Sequence, residues 1–303
     1  MHGLESDSEE AVVRVSSRTM KPGQESQTAV MVCMARAAAH ERTSVAKFAD
    51  PTALALLPQA ARARVERFRA GTPNGLRERL DQSFMDNRAK MMIARTVAID
   101  EAVRAARSPQ VVILGAGLDG RAWRMPELAE VTVFEVDHPD SQREKRGRTV
   151  ALKQAAKDVR FVPVDFERDR LDEALASAGH DPARPTTWIW EGVVMYLAKR
   201  DIEATLRVVE QRSAAGSRLI VAYHSPAAIL RLVGFLVRRV GEPLRSVFTP
   251  EEMRALLARY RFAVDKDEGL PEIGAALSPD VGRSTRVLKH FRIAIADLHR
   301  DVG

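Results

Sequence analysis

One cysteine, Cys33, among 303 residues leaves no partner for an internal disulfide, and that usage fits a reducing compartment. Aromatic residues are scarce as well, at 5% of the chain. The 47 Lys and Arg exceed 41 acids to give a net charge of +6. They are scattered along amphipathic stretches without interleaved aromatics, so no nucleic-acid surface is expected. Long apolar runs are missing: a membrane span needs about 18 or more apolar residues in succession, and the longest candidate, Ala227 to Val237, is interrupted by Arg231. The opening MHGLESDSEE is acidic where a signal peptide is basic and then apolar. No internal repeat or low-complexity tract shows, and no metal is expected. What remains is a cytoplasmic globular protein without an integral membrane segment.

At 45% hydrophobic and 29% charged, the chain is long enough for one large α/β core with additions. Residues 1–27 are polar with little to bury and read as a disordered tail, and residues 28–303 read as a single domain. Residues 28–107 are helical in pattern. Thr28 caps a helix from Ala29 to His40, shorter helices cover Thr52 to Leu57 and Pro58 to Arg69, and a long one runs from Leu76 to about Arg107. Beyond it the period alternates. Strands are expected at Val111 to Leu114, Val131 to Val136, Val159 to Val164, Thr186 to Trp190, Arg218 to Tyr223, Phe262 to Asp267 and Ser284 to Ala296. Helices fall between them at Asp140 to Lys157, Leu171 to Ala178, Asp201 (as cap) to Ser213, and Thr249 to Tyr260. The fold class is α/β: a mostly parallel seven-stranded sheet with helices on both faces. The excursion at 225–248, carrying Ile229, Leu230, Val233, Phe235 and Leu236 after the fifth strand, reads as a lid insertion or as a helix packed on the core.

The first strand runs into Gly115, Gly117 and Gly120 at GxGxxG spacing, and the second ends at Asp137, twenty residues beyond Gly117. That distance delivers a carboxylate to a ribose diol in a βαβ unit. The spacing alone leaves open NAD(P), FAD and S-adenosylmethionine, which share an adenosine ribose. Ligands of open parallel sheets sit beyond the carboxyl ends of the strands, where this chain carries Asp119, Asp137, Asp165 and Glu191. An acidic rim suits a sulfonium and an ammonium better than a pyrophosphate, which favours S-adenosylmethionine. His138, His224 and Tyr196 also stand at strand ends, and Trp123, Trp188 and Trp190 read as core.

The stretches ARTVAID, LGAGLDGRAWR, FEVDHP, VPVDF and WEGVVMYL together resemble the leucine carboxyl methyltransferase family, especially its bacterial branch of S-adenosylmethionine-dependent O-methyltransferases found in mycobacteria and other actinobacteria. The resemblance implies a Rossmann-like class I methyltransferase fold, here with the N-terminal helices as a cap. It implies that Arg95 binds the methionine carboxylate of the cofactor, Gly115 and Gly117 line it, Asp137 holds the ribose hydroxyls, Asp165 and Phe166 frame the adenine, and Glu191 lies near the methionine end. Arg36, in MARAAA, matches a basic segment near cofactor and substrate. The chain departs from the family at Gly120, where a threonine is usual.

The expected activity is methyl transfer to a carboxylate of an apolar small molecule or lipid acid, with Arg36 orienting the acceptor and Tyr196 beside it. A carboxylate of pKa about 4 is already ionised at neutral pH and needs no general base. A hydroxyl or phenol acceptor would call for one, with His224 or His138 as candidates. An NAD(P)-dependent oxidoreductase is the alternative enzyme, and a non-catalytic cofactor-binding protein the alternative of another kind.

Overall fold

The structure is a computed structural model and describes residues 26–71, 73, 75–165, 168–227 and 245–299. The chain opens with helices. α1 spans Gln27–Ala39, and Ser26 rather than Thr28 caps it, its hydroxyl accepting the Ala29 N–H; the helix thus begins inside the segment expected to be a tail. Two helices follow, α2 (Ala53–Leu56) and α3 (Gln59–Ala70), and then the 31-residue α4 (Leu76–Ala106). Asp50 sets the start of α2, its Oδ1 accepting the N–H groups of Thr52 and Ala53 and the Thr52 hydroxyl.

Strands and helices then alternate as the sequence pattern requires. β1 is Gln110–Leu114, β2 Thr132–Asp137, β3 Asp158–Pro163, β4 Thr186–Trp190 and β5 Arg218–His224. Between them lie α5 (Arg121–Arg124), α6 (Pro139–Thr149), α7 (Leu171–Ser177) and α8 (Lys199–Gln211). α6 stops at Thr149, eight residues before the expected end. Asp201 is not the cap of α8: Ala198 holds that position, and Asp201 is buried in the first turn. A capping box of Thr249 and Glu252 opens α9 (Pro250–Ala258), where the sequence put it.

The C-terminal region departs most from expectation. After β6 (Phe262–Gly269) come two short helices, α10 (Leu270–Leu277) and α11 (Pro279–Thr285), and only then β7 (Phe291–Leu298). The strand expected from Ser284 therefore starts seven residues later. Pro271 and Pro279 in the first turns of α10 and α11, with Ser278 capping the second, are the start signals in that stretch.

The strand order is β3-β2-β1-β4-β5-β7-β6. β1 to β5 pair in parallel, and β7 runs antiparallel to both its neighbours. The alternation of side chains puts Val111, Ile113, Ile189, Ile220 and Ala222 against the cap helices, and Val112, Leu114, Trp188, Trp190, Leu219 and Val221 against the opposite layer. Order reverses between β1 and β4, which opens a crevice at their carboxyl ends. Among the described residues no helix is long and apolar enough to cross a membrane.

Candidate functional site

β1 ends in a turn that requires glycine at two places. Gly115 and Gly117 have φ of +70° and +45°, where any side chain is strained, and a Cβ on Gly115 would lie 2.4 Å from Val193 Cγ2. Gly120 is a different case. Its φ of −109° suits any residue, but an added Cβ would lie 2.2 Å from the Thr52 hydroxyl oxygen. The third glycine therefore makes room for the cap.

The loop amides are largely engaged within the protein. Gly115 and Ala116 donate to the Val136 carbonyl, Asp119 to the Ala116 carbonyl, and Gly117 to Asp137 Oδ2. The helix that follows has only four residues. A pyrophosphate cradle uses unengaged amides at the head of a full helix, and this turn is not built that way. Asp137 accepts from His138 N–H through its other oxygen at 2.6 Å. Burial raises its pKa in spite of these two donors. A carboxylate has about four lone-pair sites, so Asp137 can still accept from ligand hydroxyls.

A buried series of alternating charges joins this loop to the cap. Arg95 of α4 places Nε 2.6 Å from Glu191 Oε1, one residue past β4. Glu191 Oε2 accepts from Arg121 Nη1 at 2.9 Å. Arg121 also donates from Nε to Asp100 Oδ1 at 2.8 Å and pairs with Asp119. Arg124 forks onto Asp100 at 2.6 and 2.9 Å and approaches Asp50 at 3.7 Å. Arg36 ends the series, with Nε 2.8 Å from Asp50 Oδ2 and Nη2 2.5 Å from the Leu118 carbonyl oxygen.

Burying one ion alone costs several kcal/mol, and strict alternation of sign makes this burial tolerable. Burial pushes each carboxyl up, and the guanidiniums more than offset it. Arg121 and Arg36 hold Asp119 well below the carboxylate range, Arg95 and Arg121 lower Glu191, Arg36 and Arg124 lower Asp50, and Arg124 and Arg121 lower Asp100.

This geometry revises two expectations. The rim is not acidic in effect, because Asp119 and Glu191 are both paired with arginine. Arg36 is buried, with two nitrogens committed to Asp50 and Leu118, so it fastens α1 to the glycine loop and does not face an acceptor. Arg95 differs. Among the described residues its one ion-pair partner is Glu191, through Nε, and that nitrogen makes no hydrogen bond of good geometry, so the guanidinium can still donate to a ligand anion.

Asp165, past β3, is half-buried; its N–H donates to Asp169 and its carboxylate lies 3.7 Å from Arg168. Phe166 lies outside the described residues, as does most of the insertion, 228–244. Its flanks are tied down: Ser225 N–H donates to the His290 carbonyl and Arg245 N–H to the Met195 carbonyl, so the segment leaves from β5 and returns at the end of β4. Tyr196 ends the single turn Val194–Tyr196 there and is half-buried.

His138 caps α6 through Nδ1, which accepts from Asp140 N–H. The ring of His224 packs 4.0 Å from Phe291, and burial, with the charges of His290 and Arg95, pushes its pKa down to about 3. Cys33 donates to the Ala53 carbonyl, and burial raises its thiol to about 12, so it is no nucleophile. Sequence reasoning missed Asp50, Thr52, Asp100, Arg121 and Arg124. Asp100, Arg121 and Arg124 lie inside ARTVAID and LGAGLDGRAWR, and charged residues set in otherwise apolar stretches were the available signal.

A family model described as leucine carboxyl methyltransferase matches residues 29–210. A protein of Mycobacterium sp. (strain JLS), named as an S-adenosyl-L-methionine-dependent methyltransferase, is 34% identical over 221 residues, 72% of each chain. One of Frankia alni with the same description is 37% identical over 150 residues. That match takes in 48% of this chain and 52% of the relative, so the chain spans about half of that relative's length. Among solved structures, a duf574 family protein from Streptomyces avermitilis superposes with a TM-score of 0.55 at 15% identity, covering 91% of this chain and 99% of its own. At that identity the likeness concerns the fold.

Proposed function

The chain belongs to the leucine carboxyl methyltransferase family, and from that premise we propose that it is an S-adenosylmethionine-dependent methyltransferase whose acceptor is a carboxylate on an apolar small molecule or lipid acid. The observation that carries this reading is the order of groups along the carboxyl edge of the sheet. β3, β2, β1 and β4 lie side by side and end in Asp165, Asp137, the glycine turn, and Glu191 with Arg95. At about 4.8 Å per strand the four span roughly 14 Å. A nucleoside joined to an amino acid and laid across them meets Asp165 at the adenine and Asp137 at the ribose diol. Its chain crosses Gly115 and Gly117, and its α-ammonium and α-carboxylate reach Glu191 and Arg95.

The cofactor supplies an electrophilic methyl group on a cationic sulfur. The protein holds it, aligns the acceptor with it and keeps water out. Tyr196, just past β4, borders the methyl end.

A carboxylate acceptor is favoured over a hydroxyl because neither histidine near the strand ends among the described residues is a competent base. His224, with a pKa of about 3, is far too weak to take a proton from a phenol of pKa about 10, and His138 is engaged as a helix cap. The glycine turn, with its amides engaged, supports the adenosyl cofactor over a dinucleotide. Isothermal titration with S-adenosylmethionine and with NAD(P)H tests the cofactor; binding of NAD(P)H alone would overturn the reading. Mass spectrometry of acid and phenol libraries with labelled cofactor tests the acceptor, and methyl esters are the expected products.

A further inference from the structure

The order along the edge continues past the proposed cofactor. Beyond β4 the next strand is β5, and its last residue is His224, 6% exposed. Ala222, two positions earlier and on the same face, lines a small cleft with Arg95, Met195 and Phe291. His224 therefore stands one strand beyond Glu191, on the side away from the nucleoside, where the methyl group leaves. Its main chain is fixed on both sides. Phe248 N–H donates to its carbonyl at 3.0 Å, and it pairs with Phe291 in the β5–β7 ladder.

The ring nitrogen Nδ1 is buried and has no hydrogen-bond partner among the described residues. An orphaned buried N–H is rarer and costlier than an orphaned lone pair. The proton of the neutral imidazole therefore belongs on Nε2, and burial beside Arg95 and His290 keeps the ring neutral. His224 is thereby a fixed, uncharged hydrogen-bond donor.

We propose that His224 binds the methyl acceptor, its Nε2–H donating to the carboxylate oxygen that is not methylated. This rests on the methyltransferase reading above. The other oxygen forms the new C–O bond as the methyl–sulfur bond breaks; the electron pair of that bond stays on sulfur, which becomes a neutral thioether, and no proton moves. A neutral donor suits this step. The sulfonium already supplies positive charge, so a second full cation would hold the anion's electrons back from the methyl carbon, whereas one hydrogen bond orients the carboxylate at little cost to its nucleophilicity.

The test uses the full chain, S-adenosylmethionine and a series of straight-chain acids from octanoate to palmitate. His224→Leu and His224→Asn should lower kcat/KM for the acid roughly 10- to 100-fold, the scale of one hydrogen bond to a charged group, with the KM for cofactor within about twofold. His224→Gln, whose amide nitrogen reaches the Nε2 position, should recover most of that loss. Equal loss in the Gln and Leu variants, or a parallel rise in the cofactor KM, overturns the proposal. Nitrogen-15 spectra of the wild-type imidazoles, with His224→Gln identifying the signal, should show the Nε2–H tautomer; an Nδ1–H tautomer or an imidazolium overturns it whatever the variants do. Wild-type enzyme that binds cofactor but methylates no acid overturns the acceptor assignment and leaves the cofactor reading standing. Failure to bind the cofactor overturns both.

Discussion

Arg121→Met removes the guanidinium that three buried carboxylates share, and the loss can be apportioned. Asp100 keeps the Arg124 fork and Glu191 keeps Arg95. Asp119 loses its direct partner and retains the more distant attraction of Arg36. One uncompensated buried carboxylate costs about 3 to 5 kcal/mol, so the expected destabilisation is that of one broken pair and not of three. Against a total of roughly 5 to 15 kcal/mol this is severe, and it corresponds to a fall in Tm of about 6 to 20 °C. Urea unfolding of the full chain should show the midpoint falling with the slope unchanged. The acid limb gives a second readout. Asp100, Asp119 and Glu191 have lowered pKa values in the folded state, so the stability they contribute is present above about pH 4 to 5 and lost as pH falls through their folded values. In the variant the neutral-pH stability should drop and the acid slope flatten. Adding Asp119→Asn should restore part of the loss. A cost under about 1 kcal/mol, the scale of an exposed ion pair, would refute the reasoning, as would no recovery in the double variant.

Asp137→Ala should weaken S-adenosylmethionine binding by about 1 to 3 kcal/mol in titration calorimetry, the scale of charge-assisted bonds to hydroxyls; undiminished affinity in a folded variant would remove Asp137 from the site. Gly120→Ala should destabilise despite its ordinary φ, and Thr52→Ala should relieve part of that cost, because the obstructing atom is the Thr52 hydroxyl; additive losses in thermal melts would show that the clash is not the cause. Glu135 and Lys145 form a fully buried pair at 2.7 Å, so Lys145→Met alone should cost about 3 to 5 kcal/mol while Glu135→Leu with Lys145→Met comes close to neutral. A double variant as unstable as the sum of its singles, by urea unfolding, would contradict this.

The sheet was legible in the sequence because its central strands are short apolar runs that end in glycine or acid, and the cap helices because their apolar residues recur at helical spacing. The strand at Phe262 fell where expected, but the stretch between it and the last strand was misread, since two helices lie there and the last strand begins at Phe291 and not at Ser284. The helices Leu270–Leu277 and Pro279–Thr285 are only about two turns each, too short for a clear helical period, and are announced only by Pro271, Ser278 and Pro279. The glycine turn and Asp137 fell where the spacing placed them. The charge series was not legible, since a buried arginine and a solvated one look alike in sequence. Arg36 could be assigned to a ligand only so long as Asp50 and the Leu118 carbonyl, 14 and 82 residues away, were unknown as its partners. Gly120 was read only as the third glycine of a GxGxxG spacing and a departure from the family, because nothing local reveals that Thr52 occupies the space beside it.

The series also gives a physical reason for the pairing at the proposed methionine end. Without a ligand, Arg95 and Glu191 neutralise each other at 2.6 Å, so neither is a lone charge in a site from which water is largely excluded. An incoming zwitterion brings one charge of each sign, its carboxylate for the terminal nitrogens of Arg95 and its ammonium for Glu191. The site thus stays neutral in both states, and binding adds pairs without exposing an unpaired ion. Arg121 makes this exchange possible, because its hold on Glu191 Oε2 at 2.9 Å keeps that carboxylate in place whether or not Arg95 turns toward a ligand. Arg121 is in turn fixed by Asp100 on α4, the helix that carries Arg95. A one-residue slip of α4 against the sheet would break both contacts together, so the geometry of the site and the docking of the cap are held by the same bonds.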